Sequence, residues 1–261
     1  MKSSTLDNRS GKLPITIGIL SWKSKQSISN TLNSYSKNRL FDIVSESIIF
    51  LQEASNEDIE AVNNYSLKTI TTKNNIGIGK AFLELASVAQ HPYIILLEHD
   101  WELVENAEST KRHLQEAINL IEEHNVDCIR LRHRKKFGFP HYSVIRYRGK
   151  ELDFFDPWIK LTHPHLLDSV HWTKNPSELW PDKINRLEDF FVCSSRYGNW
   201  TNNPCIFKKN FYSEVVRDFA GEGIELEEKI SYWWARQNFK VAQGRGLFRH
   251  RDIDKYGRFK E

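Results

Sequence analysis

Residues 74–104 read NNIGIGKAFLELASVAQHPYIILLEHDWELV, and their pattern decides the fold. Gly77 and Gly79 punctuate a turn. Helical spacing follows over 78–90. Tyr93, Ile94, Ile95, Leu96 and Leu97 then form an apolar run of strand length. A run that is apolar on both faces suits a strand covered by helices on both sides. Glu98, His99 and Asp100 follow at once. In open α/β sheets the ligand crevice lies just beyond the carboxyl ends of the strands. Two carboxylates at that edge suit a divalent cation, which prefers oxygen ligands. The plainer reading is a polar loop that ends a strand.

Outward from this stretch the same alternation continues. Residues 14–22, PITIGILSW, read as a buried strand, and Ile28, Leu32 and Tyr35 mark a helix over 25–38. Residues 43–52 give a second strand. Ser55 or Asn56 caps a short helix through Val62, and 67–72 form a third strand. The order β, α, β, α, β, α, β argues for a mainly parallel sheet with crossover helices. Ala107, Leu114, Ile118 and Ile121 share one face of a helix over 106–124, and Cys128, Ile129 and Leu131 begin another strand. Residues 134–205 show little regular period and read as functional loops. Helices are expected over 207–219 and 226–238. Residues 14–133 and 134–261 read as two halves of one domain.

The totals limit the function classes. The 261 residues include 39% hydrophobic and 27% charged side chains, enough for a sizeable core. A net charge of +3 does not call for nucleic acid. The cysteines Cys128, Cys193 and Cys205 are odd in number and widely spaced, so neither a disulfide framework nor a zinc site is indicated. A reducing compartment fits best, and a cytoplasmic location is expected. The leader MKSSTLDNRSGK lacks a secretory apolar segment, and no run reaches the length of a membrane span.

Four pieces of this layout resemble the nucleotide-sugar glycosyltransferases of the GT-A fold, family-2 type. They are the opening strand and helix at 14–38, the strand and acidic loop IIFLQEASNED, the stretch NNIGIGKAF followed by YIILLEHD, and the late ELEEKISYWWARQNFKVAQGRGLFRH. The likeness covers about residues 14–130 and 200–250. The chain departs from the family pattern at three places. Glu98 opens the DxD-type triplet, Glu227 stands where Asp is usual, and Asn238 stands where Gly is common.

The resemblance implies a metal-assisted transfer of sugar from a nucleotide diphosphate sugar, UDP-sugar favoured, to a glycan, protein or lipid-linked acceptor. Inversion at the sugar carbon is expected. Asp100 becomes the direct metal ligand and His250 completes the metal shell, with Mn²⁺ favoured over Mg²⁺. Glu98 and His99 lie by the nucleotide. Glu227 takes the place of the general base, with Glu225 and Glu228 as competitors; a general base serves best with a pKa near the working pH. Ser21, Trp22, Glu53, Asn75, Gly77 and Lys80 border the nucleotide across the strand ends, with Trp22 read chiefly as a packing residue.

Other segments stay open. Residues 130–136, RLRHRKK, hold five cations. They read either as a solvated edge strand and loop or as a contact for diphosphate or an acidic acceptor. His133, His141, His163, His165 and His171 read as loop histidines. Trp158, Trp172, Trp180 and Trp200 either stack on an acceptor or pin the loops. Asp156 and the Glu188-Asp189 pair are candidate acceptor contacts. Two rival functions share the pattern: a sugar-phosphate nucleotidyltransferase, and a carbohydrate- or nucleotide-binding module without turnover. The first usually has a glycine-rich loop after strand one, which SWKSKQS lacks.

Overall fold

A computed structural model describes residues 11–138, 173–221 and 226–251. Chain order begins with β1 (Leu13–Trp22), α1 (Lys25–Lys37), α2 (Leu40–Ile43) and β2 (Val44–Gln52). It continues through α3 (Asn56–Asn63), β3 (Lys68–Thr72), α4 (Ile78–Val88), β4 (Tyr93–Glu98) and β5 (Trp101–Leu103). Next come α5 (Ala107–His124), β6 (Cys128–Arg132), α6 (Pro176–Leu179), β7 (Ile184–Leu187) and β8 (Phe190–Ser194). The chain then runs through β9 (Cys205–Lys208), α7 (Lys209–Arg217), α8 (Leu226–Trp234) and β10 (Lys240–His250).

The strands form one sheet in the order β3-β2-β1-β4-β9-β6-β10-β8-β7, with β5 paired to β10. The first four, β3-β2-β1-β4, are parallel, as the alternation predicts. Beyond them the sheet is mixed, because β9 enters antiparallel between β4 and β6. Strand alternation divides the core. Ile17, Ile19, Ile95 and Leu97 face Ile28 and Leu32 of α1 and Leu114 and Ile121 of α5. Ile48, Phe50, Ile94 and Leu96 face Phe82 and Leu85 of α4 and Val216, Leu226 and Ile230 of α7 and α8. Gly18 lets α4 lie close on the sheet: a Cβ there would meet Leu85 Cβ of α4 at 3.3 Å and Leu96 Cδ2 of the neighbouring strand at 2.9 Å. Helix α3 begins with a reciprocal cap, in which Ser55 Oγ accepts from the Asp58 amide and the Asp58 carboxylate accepts from the Ser55 amide.

Two expectations need correction. The stretch 134–205 is more regular than its sequence suggests, since its described part holds α6 and the β7–β8 hairpin. Glu188-Asp189 is the turn of that hairpin, with Glu188 at φ 52°. Glu-Asp is not a favoured hairpin dipeptide, so the turn is hidden in the sequence. The helix expected at 207–219 begins at Lys209, because Cys205–Lys208 is spent on β9. Strand passes to helix there with no Gly or Pro to mark the change. His141, Asp156, Trp158, His163, His165, His171, Trp172 and Glu225 lie outside the described residues.

Candidate functional site

The acidic triplet sits where β4 ends and the chain turns into β5. Pairing of β5 with β10 places His250 opposite Trp101, beside Asp100. Asp100 Oδ2 lies 3.1 Å from His250 Nε2, and the Arg251 amide donates to the Asp100 carbonyl at 2.9 Å. The Trp101 ring supports the imidazole at a centroid distance of 4.7 Å. Helix α1 fixes the turn from the other side with residues one helical turn apart. Ser27 Oγ and Thr31 Oγ1 donate to the His99 carbonyl at 3.1 and 2.6 Å, and Tyr35 Oη donates to the Trp101 carbonyl at 2.7 Å. The first two clamp His99 through its backbone. The His99 ring hydrogen-bonds to the Leu20 backbone, so it braces the turn.

Three acids share this edge. Burial, then the charges of Asp100 and Glu227, push the Glu98 carboxyl up to about 8. Burial also opposes ionisation of Asp100. The hydrogen bond and charge of His250, with the charge of His99, outweigh it and hold Asp100 below the ordinary Asp range. Glu227, in the first turn of α8, is exposed, and its Oε1 accepts from Thr201 Oγ1 at 3.1 Å and from the Asn202 amide. No sequence pattern marks Thr201 and Asn202 as partners of Glu227. The fold therefore gathers Glu98, Asp100, Glu227 and His250, which are separated by up to 152 positions in the chain.

The residues expected to border the nucleotide lie at and beside the strand ends. Ser21 is buried. Trp22 is 46% exposed, which corrects its reading as a packing residue. Its Nε1 donates to Glu53 Oε2 at 2.9 Å, and Lys23 pairs with the same carboxylate. The Lys23 and Trp22 contacts hold the Glu53 carboxyl below its ordinary range. Asn75 Oδ1 accepts from the Gly77 amide at 2.8 Å, and Gln52 Oε1 accepts from the Ile76 amide at 2.7 Å. Gly77, at φ 81°, precedes α4, whose first turn carries Lys80. Glycine is suited to that backbone angle.

The strand part of the basic run is not a solvated edge, whereas Lys135 and Lys136 in the loop after it are exposed. Strand β6 lies between β9 and β10, and Arg130 and Arg132 are buried. Arg130 donates to Asn199, and Arg132 donates to the Phe137 carbonyl at 3.0 Å while lying over the Trp101 ring. These arginines hold the interior of the sheet together. His133 is equally internal. Its Nδ1 accepts from the Lys135 and Lys136 amides at 3.0 and 2.8 Å, which makes Nε2 the donor to Glu105 Oε1 at 3.2 Å. Glu105 in turn pairs with Arg245 at 3.0 Å.

Asp100 Oδ1 is buried without a hydrogen-bond partner among the described residues. An orphaned carboxylate oxygen beside an imidazole fits a cation with oxygen and nitrogen ligands. Among the described residues no group of three or more His, Cys, Asp or Glu could hold a metal ion. Such an ion would need its remaining positions filled by a bound ligand or water. Neither of the cavities of about 550 and 580 Å³ among the described residues is lined by Glu98, Asp100, Glu227 or His250. No helix among the described residues is long and apolar enough to cross a membrane.

No family profile matches the sequence, and no curated protein matches it. Solved structures do. S. aureus TarS, residues 1–349, superposes with TM-score 0.54 at 15% identity, over 91% of this chain and 60% of that one. The same fragment in complex with UDP gives 0.52 at 14% identity, over 92% and 61%. Glucosyl-3-phosphoglycerate synthase from Mycobacterium tuberculosis, in complex with Mn²⁺, UDP and phosphoglyceric acid, gives 0.52 at 13% identity, over 94% and 72%. This chain thus spans about three fifths of the TarS fragment. At these identities the likeness is one of fold, and the chain has the GT-A fold.

Proposed function

We propose that the protein is a glycosyltransferase that moves a sugar from a nucleotide diphosphate sugar, UDP-sugar favoured, to an acceptor hydroxyl with inversion. The observation that carries this reading is the meeting of Asp100, with its orphaned Oδ1, and His250, near Glu98 and Glu227. That the TarS fragment and the mycobacterial synthase were both solved with UDP supports the donor class.

Asp100 and His250 would hold a divalent cation, Mn²⁺ in preference to Mg²⁺, which neutralises charge on the departing diphosphate. Glu98 faces the ribose or water at the same edge. Trp22, Glu53 and Asn75 receive the base, and Gly77 lets the backbone approach the nucleotide. Lys80 offers charge to a phosphate. Glu227 accepts the acceptor hydroxyl proton through the oxygen not engaged by Thr201 and Asn202. The hydroxyl oxygen then bonds to the sugar carbon as the bond to the diphosphate oxygen breaks, and that oxygen keeps the electron pair. Residues 14–133 serve the donor and 134–261 the acceptor, which is a glycan, protein or lipid-linked group. The three free cysteines support a reducing, cytoplasmic setting. Incubation with a panel of nucleotide sugars and Mn²⁺ or Mg²⁺, with nucleotide release as readout, tests the proposal. Release from a UDP-sugar supports it. Pyrophosphate release from a nucleoside triphosphate and a sugar phosphate, or binding without release, overturns it.

A further inference from the structure

The cavity of about 550 Å³ has a volume typical of small-molecule sites and is lined by a surplus of cations. Its acids are already matched. Glu105 pairs with Arg245 at 3.0 Å, Glu116 lies 3.9 Å from Arg112, and Asp189 lies 3.7 Å from Arg186. Arg134, Lys135 and Lys174 remain, and no described acid lies within ion-pair distance of them. Arg134 is the most demanding of the three. Its guanidinium lies over the Phe191 ring at 4.6 Å and, among the described residues, donates only to the backbone carbonyls of Thr173 and Lys174. Its Nε is buried without a partner. Burial pulls the guanidinium pKa below its ordinary value. A cation drawn out of water and met only by neutral groups is costly, and truncated ion pairs in other proteins show how strongly such a charge favours a counter-ion.

We propose that this cavity is a binding site for a small phosphate-bearing ligand that neutralises Arg134, with Lys135 and Lys174 beside it. The planar guanidinium suits such groups. The site is separate from the donor cluster, since neither Asp100 nor Glu227 lines it, and the proposal does not rest on the glycosyltransferase reading. The shared chemistry admits two sources, free phosphate or a phosphorylated sugar.

Isothermal titration of the full chain with inorganic phosphate, glucose 6-phosphate and glucose tests it. Saturable binding of one or both phosphate probes, with none of glucose, is expected. Equal affinity for the two assigns the free anion, and tighter binding of the sugar phosphate assigns the ester. The double variant Lys135→Glu/Lys174→Glu changes two exposed side chains and should weaken binding by about tenfold or more. Arg134→Gln should do the same, and the lysine pair decides the matter if Arg134→Gln does not fold. Asp100→Ala should bind the probes as the wild type does. The proposal is overturned by absence of saturable binding, by unchanged affinity in the double variant, or by loss of binding in Asp100→Ala.

Discussion

Replacing Glu227 by Gln isolates the proton-accepting role of the first turn of α8. The amide oxygen of Gln can still accept from Thr201 Oγ1 and from the Asn202 amide, as Glu227 Oε1 does. The joint between the 201–203 turn and α8 therefore survives, and stability should change by less than about 1 kcal/mol. Only the basicity is lost. General base catalysis contributes about 10²–10⁴ in rate, which corresponds to about 3–5 kcal/mol of barrier. The assay is nucleotide release in the presence of acceptor, with kcat and donor KM measured separately. We expect kcat to fall by that factor while donor KM stays near the wild-type value. A second readout is independent of turnover. The charge of Glu227 acts with burial and with Asp100 to hold Glu98 up to about 8, so its removal should move the Glu98 titration downward in carboxyl-labelled NMR spectra. Transfer at the wild-type rate in a folded Glu227→Gln protein would refute the assignment.

Other perturbations probe the supporting structure. Asp100→Ala should abolish the metal-dependent part of the thermal shift given by UDP, because a ligand that binds only the native state raises Tm by an amount that grows with the logarithm of its affinity; an undiminished shift would remove Asp100 from the site. His133→Leu leaves the Lys135 and Lys136 amides and the buried Glu105 carboxylate without their imidazole partner. It should cost about 2–4 kcal/mol in chemical denaturation, with part recovered in His133→Asn, whose Oδ1 can replace Nδ1 as acceptor. His113 is stacked on Phe190 at 5.1 Å, and burial, then the charges of His133, Arg245 and Arg112, pull its pKa from 6.5 to about 4. Both states are neutral there above pH 6.5. Between 6.5 and 4 the unfolded chain takes up a proton that the folded chain refuses, so stability is lost as pH falls, by up to about 1.4 kcal/mol per pH unit. Glu116, at 3.9 Å from His113 Nδ1, is the one acid within ion-pair distance of it among the described residues. Denaturation midpoints across that range should fall less steeply in His113→Phe; equal slopes would contradict the assignment.

Much of the parallel half of the sheet can be read in the chain because its signals are local. The apolar run Tyr93–Leu97 and the Ser55 cap each lie within a few residues of what they determine. The mixed half is harder to read. Strand β9 has four residues, is followed directly by helix, and is defined by partners in β4 and β6 rather than by its own pattern. The turn at Glu188-Asp189 lacks the glycine or asparagine that would announce a hairpin. Arg130 and Arg132 read as surface charge because arginine is seldom buried. Their hydrogen bonds to Asn199 and Phe137 are visible only after folding. At the candidate site, the acidic triplet is legible at the end of its strand. The residues that hold it in place are not. Ser27, Thr31 and Tyr35, which fix that turn, lie on α1, and Thr201 and Asn202, which bind Glu227, lie in a turn 26 and 25 positions before it.

The most direct test of the account is a crystal structure of the protein with UDP and Mn²⁺. The account predicts manganese bound by Asp100 Oδ1 and His250 Nε2, the diphosphate completing its shell, and the uracil near Trp22 and Glu53. Manganese and diphosphate bound elsewhere, with Asp100 and His250 still joined by their hydrogen bond, would contradict it.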